Sequence, residues 1–413
     1  MSTTRAVGAV SREGVGVADN GGMSRESGSA PEVSVVMPCL NEADTLEACI
    51  RSARRAIEEA GLTGEIIVAD NGSTDGSAAI AEQSGARVIR VAPMGYGSAL
   101  MGGIGAARGR YVVMADADDS YDLAEVPHFV GKLRQGFELV QGCRLSSGGG
   151  TVEKGAMPWL HKWWGNPMFS LLSRVWFRAP FHDLHCGMRG FTRELFERLQ
   201  LRCTGMEFAS EMVIRATLAG ARMAEVPITL RPDGRRSHPP HLRTFRDGWR
   251  HLRFLLVYSP RWLFLMPGLA LIALGLAGYA IAMPRLSLGG VVFDVHTLLF
   301  ASLALICGYQ AILFGVFTKV FAITEGLLPP DLRMRRLFSR IDLEKGLAAG
   351  ALAMLAGLTL LGVAVNLWRM RQFGDLDYAR TMRWVIPGVT LSTLGFQTVL
   401  SSFFLSILGL KRQ

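Results

Sequence analysis

The chain has 413 residues, 49 % of them hydrophobic and 19 % charged, and a formal net charge of +9 at pH 7. That length leaves room for two or three domains, and that apolar content excludes a wholly disordered chain. The six cysteines (Cys39, Cys49, Cys143, Cys186, Cys203 and Cys307) show no CxxC spacing, so they read as reduced, packed thiols of a cytosolic compartment, not a disulfide framework.

Residues 1–31 are rich in Gly, Ser and Glu and have no apolar core, so they are expected to form a disordered tail and not a signal peptide. The β-branched run VSVVM (33–37) predicts a buried strand ending at Pro38. Leu46, Ile50 and Ile57 then mark one face of a helix over 41–61, with Gly61 as its stop. EIIVAD (65–70) is a second strand entering the turn NGSTDGS. A short helix, a third strand over 86–91 and a fourth over 111–116 (YVVMAD) continue the alternation. Strands alternating with helices predict an α/β fold, an open and mostly parallel sheet flanked by helices.

Polar clusters follow the first, second and fourth strands, and ligands of such sheets bind at the carboxyl ends of strands. The densest cluster is MADADDSYD (114–122), where four acidic residues occupy seven positions. Carboxylates crowded this closely call for a divalent metal, an arginine cluster, or open water. Neither GxxxxGK[ST] nor GxGxxG follows the first strand, which removes a P-loop and a dinucleotide fingerprint. The glycine-rich run 94–109 lacks a phosphate-gripping lysine and is predicted to be a helix packed close beside a nucleotide. HDLHC (182–186) has metal-like residues but no second ligand pair to complete a zinc site.

Residues 241–262 place Leu242, Phe245, Trp249, Leu252 and Leu256 on one helical stripe, flanked by Arg243, Arg246, Arg250 and Arg253. A basic amphipathic helix of this kind suits a membrane surface. Four apolar segments follow, at about 262–283, 297–322, 346–368 and 385–410, each long enough to span a bilayer. The basic run within 331–340 and the C-terminal KRQ contrast with Arg285 alone in 284–296, which places the soluble part on the cytoplasmic side. Arg369, Arg371, Arg380 and Arg383 count against that orientation. Positive charge gathered beside spans points to anionic lipid as the partner, not nucleic acid. The expected division is a tail over 1–31, a catalytic domain over 32–240, an interfacial helix over 241–261 and a membrane domain over 262–413.

The segments VVMPCLNEADTL, EIIVADNGSTDGS, MGYGSALMGGIGAARGRYVVMADADDSYD and GCR resemble the catalytic domain of family-two glycosyltransferases of the GT-A fold. Within that family they are most similar to the dolichol-phosphate mannose synthase branch, including bacterial polyprenyl-phosphate glycosyltransferases with C-terminal membrane helices. The resemblance implies an inverting transfer of one sugar, glucose or mannose, from a UDP- or GDP-sugar to a polyprenyl phosphate at the inner (plasma) membrane. Homo-oligomerisation is one arrangement it leaves open. It also implies that Pro38, Leu40, Glu42, Val68, Asp70, Asp116 and Ala117 line the nucleotide-sugar pocket. Asp118 would be the main ligand of Mg²⁺ or Mn²⁺, with Asp116 and Ser120 beside it. Ser120 stands where the mannose synthases typically carry Gln.

A lipid phosphate is already anionic, so its transfer needs positive charge in place of a general base. The implied residues are Arg144 in GCR and Arg235 and Arg236 in RPDGRRSH, with Arg189 more structural. Glu207 and Glu211, four apart on one helical face, read either as a sugar-orienting pair or as partners of an arginine. Two rivals stand beside this reading. A processive polysaccharide synthase would carry QxxRW, whereas YSPRW and RTMRW lack the Gln. A non-catalytic sugar-nucleotide-binding scaffold would keep the domain without transfer.

Overall fold

The computed structural model describes residues 30–237, 244–326, 328, 329, 331 and 342–409. The expected tail over 1–29, Leu242 and Arg243 of the amphipathic stripe, the basic residues of 332–340 and the final KRQ lie outside the described residues. The chain separates into two compact units, 1–251 and 252–413.

The first unit is built on a seven-stranded sheet. Its strands are β1 (Val33–Cys39), β2 (Gly64–Asp70), β3 (Arg87–Arg90), β4 (Tyr111–Met114), β5 (Leu139–Cys143), β7 (Arg189–Thr192) and β8 (Met223–Pro227). Their order is β3-β2-β1-β4-β7-β5-β8. β7 runs antiparallel to both neighbours while the other pairings are parallel. The short pair β6 (Thr151–Val152) and β9 (Thr229–Leu230) forms a separate ribbon. Helices α1 (Leu46–Glu59), α2 (Ser77–Gln83), α3 (Tyr96–Ala106) and α4 (Val126–Arg134) connect the parallel strands. Beyond them lie α5 (Asn166–Phe177), α6 (Arg193–Leu199), α7 (Phe208–Leu218) and α8 (Thr244–Val257), the last continuing across the division between the units.

β1 is apolar along nearly its whole length because it is sandwiched between β2 and β4 and covered on both faces. From β1 the chain passes to β2 on one side and later to β4 on the other. The sheet order therefore reverses at β1, which opens a crevice at the carboxyl ends of these strands. Two predicted boundaries move. The first helix begins at Leu46 and not near 41, because Asn41 sits at φ 59° and the turn behind it closes with Leu46 N–H donating to the Glu42 carbonyl. β4 stops at Met114 and not at 116, so the acidic run projects beyond the sheet edge as a loop.

The second unit holds α9 (Met266–Ala282), a hairpin of β10 (Ser287–Leu288) and β11 (Val291–Val292), and the long helices α10 (Val295–Thr324), α11 (Leu343–Met370) and α12 (Tyr378–Gly409). Four stretches are long and apolar enough to cross a membrane: Arg261–Ala282, Val295–Thr324, Leu343–Met370 and Tyr378–Leu408. Small residues let these helices approach closely. A Cβ added at Gly268 would lie 2.8 Å from the Gly308 carbonyl oxygen, and one at Gly350 would lie 2.9 Å from that of Gly395.

Candidate active site

The polar ends of β1 and β2 are stapled together. Asn41 N–H donates to Ser73 Oγ (3.0 Å), Thr74 N–H to Asn41 Oδ1 (2.8 Å), Glu42 N–H to Ser77 Oγ (2.9 Å) and Ala43 N–H to Asp75 Oδ2 (2.9 Å). Most of the turn NGSTDGS is thus a mould for the loop after β1. Asp70, 6 % exposed at the end of β2, accepts from Ser73 N–H (3.1 Å). Pro38 and Leu40 stay half-buried, whereas Val68 is wholly inside the core.

The acidic loop meets this edge from β4. Ala117 is buried, and its carbonyl accepts from Thr45 Oγ1 (2.6 Å), tying the loop to the start of α1. Asp118 Oδ1 accepts from the Ser120 amide (3.1 Å) and hydroxyl (2.6 Å), while its Oδ2 lies 3.1 Å from Arg235 Nη1. The same guanidinium forks onto Glu42 through Nε (2.8 Å) and Nη2 (2.6 Å). Arg235 therefore bridges the first and fourth strand ends, and its side chain, like its two partners, is mostly buried. Its backbone is held over the loop: Arg231 N–H donates to the Ser120 carbonyl and Gly234 N–H to that of Asp118, both at 2.9 Å. The amides of Arg236 and Ser237 bond Asp44 Oδ2.

The chain itself supplies one positive charge to these carboxylates, the Arg235 guanidinium. The cluster is nonetheless under electrostatic load. Burial, and then the charge of Asp118, push the Asp116 carboxyl up to about 6, against the hydrogen bond from Tyr96 and the charge of Arg235. Burial opposes protonation of Arg235, but its bonds to Glu42 and the charge of Asp118 win and raise its pKa. Asp122 has a structural part, accepting from Ala124 N–H (3.0 Å) and pairing with Arg231 (2.6 Å). Asp119 is exposed and takes a left-handed φ of 61°.

Among the described residues no three His, Cys, Asp or Glu side chains converge into a closed metal cage. What the loop offers is a small set of oxygens from Asp116, Asp118 and Ser120. Mg²⁺ and Mn²⁺ are commonly held in this way, by one or two carboxylates with substrate phosphates completing the shell. The crowding that raises Asp116 is what a cation relieves. The residues fit such an ion.

The remaining predicted residues divide. Arg144 is 8 % exposed, and its fork is taken by Asp183 through Nε (2.7 Å) and Nη2 (2.9 Å). Arg236 is exposed. Arg189 is fully buried and donates to the carbonyls of Cys186 and Leu184 (both 3.0 Å). Glu211 is fully buried, accepts from the amides of Arg202 (2.9 Å) and Cys203 (2.7 Å), and lies 3.6 Å from Arg215. Its part is to hold the loop before α7. HDLHC is split: His182 pairs with Glu225 (2.7 Å), while His185 faces His251 of α8 with ring centroids 4.2 Å apart. Asp183, the partner of Arg144, was missed within that motif because its histidines and cysteine drew the metal reading.

One surface of the first unit is apolar and unpaired. Trp159, Trp163 and Trp164 are each about two-thirds exposed, Leu171 of α5 about half, and Phe245 of α8 85 %. His161 Nε2 and Thr244 Oγ1 (3.0 Å) join the segment before α5 to the start of α8. The opposite side of α8 packs inward through Asp247 and His251, the latter bonded to Ser210 Oγ (2.8 Å).

A mostly parallel sheet whose carboxyl edge carries an acidic loop and a buried arginine, in a chain with four apolar helices, defines an α/β domain with a ligand-binding edge, joined to a region that could span a membrane. The family model for glycosyl transferase family 2 matches residues 34–200, and that for the glycosyltransferase family 2 C-terminal transmembrane region matches 316–409. The low-salt glycan biosynthesis hexosyltransferase Agl6 of Haloferax volcanii is 37 % identical over 389 residues, covering 94 % of this chain and 91 % of that protein. A dolichyl-phosphate hexose transferase of the same organism is 33 % identical over 201 residues, covering 48 % of this chain and 83 % of its own length. Among solved structures, glucosyl-3-phosphoglycerate synthase of Mycobacterium tuberculosis, bound to Mn²⁺ and UDP, matches with a TM-score of 0.43 at 25 % identity, over 55 % of this chain and 78 % of that one. The chain belongs to glycosyltransferase family 2. It is a multi-pass membrane glycosyltransferase with a GT-A-like catalytic domain.

Proposed function

We propose that this enzyme transfers a single hexose from a nucleotide diphosphate sugar to a polyprenyl phosphate, with inversion at the anomeric carbon. The observation that carries the proposal is the bridge from Glu42 through Arg235 to Asp118, a buried anion-handling centre at the switch point of the sheet. In this reading Pro38, Leu40, Glu42 and Asp70 form the wall that receives the nucleoside, with Val68 behind it in the core and not in the pocket, and Asp116 faces the ribose and diphosphate from a loop that the buried Ala117 anchors. Mg²⁺ or Mn²⁺, held by Asp118 with Asp116 and Ser120, supplies charge neutralisation to the departing diphosphate.

A phosphate oxygen of the lipid attacks C1 of the sugar, the C1–O bond to the diphosphate breaks, and its electron pair leaves with the nucleoside diphosphate. The acceptor is already ionised, so no side chain has to remove a proton. Arg235 and Arg236 hold and orient the acceptor phosphate, with Arg144 supporting them from its pair with Asp183. In this reading the catalytic domain (32–240) and the segment 241–261 face the cytoplasm at the plasma membrane, with 262–413 as the anchor; the exposed tryptophans and the basic α8 support contact with a membrane surface. The similarity to a dolichyl-phosphate hexose transferase supports the choice of acceptor.

The test is transfer by the purified full-length protein to undecaprenyl or decaprenyl phosphate, from a panel of UDP- and GDP-sugars with Mn²⁺, beside Asp118→Ala. A lipid-linked monosaccharide from one donor, lost in the variant and in EDTA, is the expected result. A lengthening glycan would instead identify a processive synthase. Donor binding without any transfer would identify a scaffold.

A further inference from the structure

The glycine-rich stretch before β4 holds a side chain that the reading above leaves unused. Tyr96, the first residue of α3, donates its hydroxyl to Asp116 Oδ1 at 2.8 Å. We infer that Tyr96 is a positioning residue: it locks the Asp116 carboxylate in a prebuilt socket and thereby sets the acidic loop that receives the diphosphate and its cation. The inference rests on the proposed function for what the loop binds, but the socket itself is built from contacts within the chain.

The socket has two walls. On one side stands Tyr96, placed by glycines before and after it. Gly95 has φ +137°, and a Cβ there would lie 2.3 Å from the Thr204 carbonyl oxygen. A Cβ on Gly97 would lie 2.3 Å from that of Cys203. Only glycines let the start of α3 press this closely on the segment before α7, where Ser98 N–H bonds the Thr204 carbonyl. Asn71, at the end of β2, fixes the approach by accepting from Gly95 N–H (2.7 Å) and donating to the carbonyls of Val91 (2.9 Å) and Pro93 (2.8 Å). On the other side is Gly187. A Cβ added there would lie 2.4 Å from Asp116 Oδ2 and 3.1 Å from Tyr121 Oη, so the carboxylate occupies the space a side chain would take. Tyr121 Oη in turn accepts from Gly187 N–H (2.9 Å), which pins that wall.

Tyr96 thus holds Oδ1 of Asp116 by a hydrogen bond, and Gly187 leaves to Oδ2 the space that a side chain would fill. A phenylalanine at 96 would fill the same space. The hydroxyl alone reaches the carboxylate, and it holds Asp116 close to the like charge of Asp118, where repulsion would otherwise turn it away.

The test measures Mn²⁺ binding to the full-length protein by loss of the free-ion electron paramagnetic resonance signal, in parallel with UDP and with GDP. The proteins are wild type, Tyr96→Phe, Asp116→Asn, the double variant, and Asp118→Ala. Tyr96→Phe is expected to weaken Mn²⁺ binding about tenfold, the scale of a hydrogen bond to a charged group, with little change in thermal midpoint. In the Asp116→Asn background it is expected to have no further effect, because Tyr96 acts through that carboxylate. Loss of binding in Asp118→Ala with none in Tyr96→Phe overturns this inference and leaves the proposed function standing. An undiminished effect of Tyr96→Phe without the Asp116 carboxylate also overturns it. Unchanged binding in Asp118→Ala overturns the metal reading and the inference with it.

Discussion

Replacing Arg235 by methionine keeps the aliphatic bulk and removes the charge that Glu42 and Asp118 share. Side-chain exposures are 11 % for Arg235, 5 % for Glu42 and 13 % for Asp118, so the orphaned carboxylates have little water to turn to. Breaking a fully buried pair costs about 3–5 kcal/mol, and the residual exposure of this trio brings the expected loss to roughly 2–3 kcal/mol. For a domain of this size that lowers the unfolding midpoint by on the order of 5–10 °C. The sign of the metal effect is the sharper part. In the wild type an incoming cation competes with Arg235 for Asp118; in Arg235→Met it does not. Mn²⁺ should therefore raise the midpoint of the variant more than that of the wild type, while sugar transfer falls because the acceptor phosphate loses its partner. The assay is thermal unfolding of the detergent-purified protein across a Mn²⁺ series, with transfer measured on the same samples. An equal or smaller Mn²⁺ shift in the variant would refute the idea that Arg235 occupies the cation's electrostatic place.

Gly187→Ala is expected to cut transfer at least tenfold by driving a methyl into Asp116 Oδ2, with folding preserved as judged by circular dichroism. His251 adds a pH dependence: burial depresses its pKa to about 4 from an ordinary 6.5, with Asp247 opposing and Arg189 reinforcing. The unfolded chain takes up that proton first, so the stability present above pH 6.5 is lost as pH falls towards 4, about 2 kcal/mol of it by pH 5. Chemical unfolding of wild type and His251→Gln at pH 7 and pH 5 should show the smaller loss in the variant. Changing Trp159, Trp163 and Trp164 together to serine should raise the KM for lipid acceptor several-fold and leave the KM for donor unchanged, measured in vesicles containing anionic lipid.

The alternation of β-branched runs with helical periodicity made the mostly parallel sheet readable, because its central strands β1 and β4 are buried along nearly their whole length and so are apolar. The spans were readable for a similar reason, since lipid demands some twenty apolar residues in a row. Pairings between distant segments were not. Glu42 and Arg235 are separated by 193 residues, and nothing local in either stretch announces the other. Arg144 looked like a free phosphate grip because Asp183 lies 39 residues away in a motif that read as metal-like. The polar cluster after the second strand marked a ligand-binding edge, and within it Ser73, Asp75 and Ser77 are loop staples, since a short polar side chain beside an unpaired amide serves either purpose equally well.

The charge at the strand ends explains why such residues converge there at all. Glu42, Asp116 and Asp118 bring three carboxylates to one edge, and Arg235 is the cation that touches two of them. Asp116 is left with a neutral donor, Tyr96, and a pKa pushed up to about 6. A site in that state repels a bare nucleotide diphosphate and attracts a divalent cation. On the proposed reading, donor and metal therefore bind most favourably together, since the ion's charge offsets both the carboxylates and the phosphates while Arg235 stays close enough to meet the next anion. The acidic crowding that first marks the sequence is then a means of coupling the two arrivals, and the glycines around Tyr96 and at 187 are what keep the crowded carboxylate in place until they come.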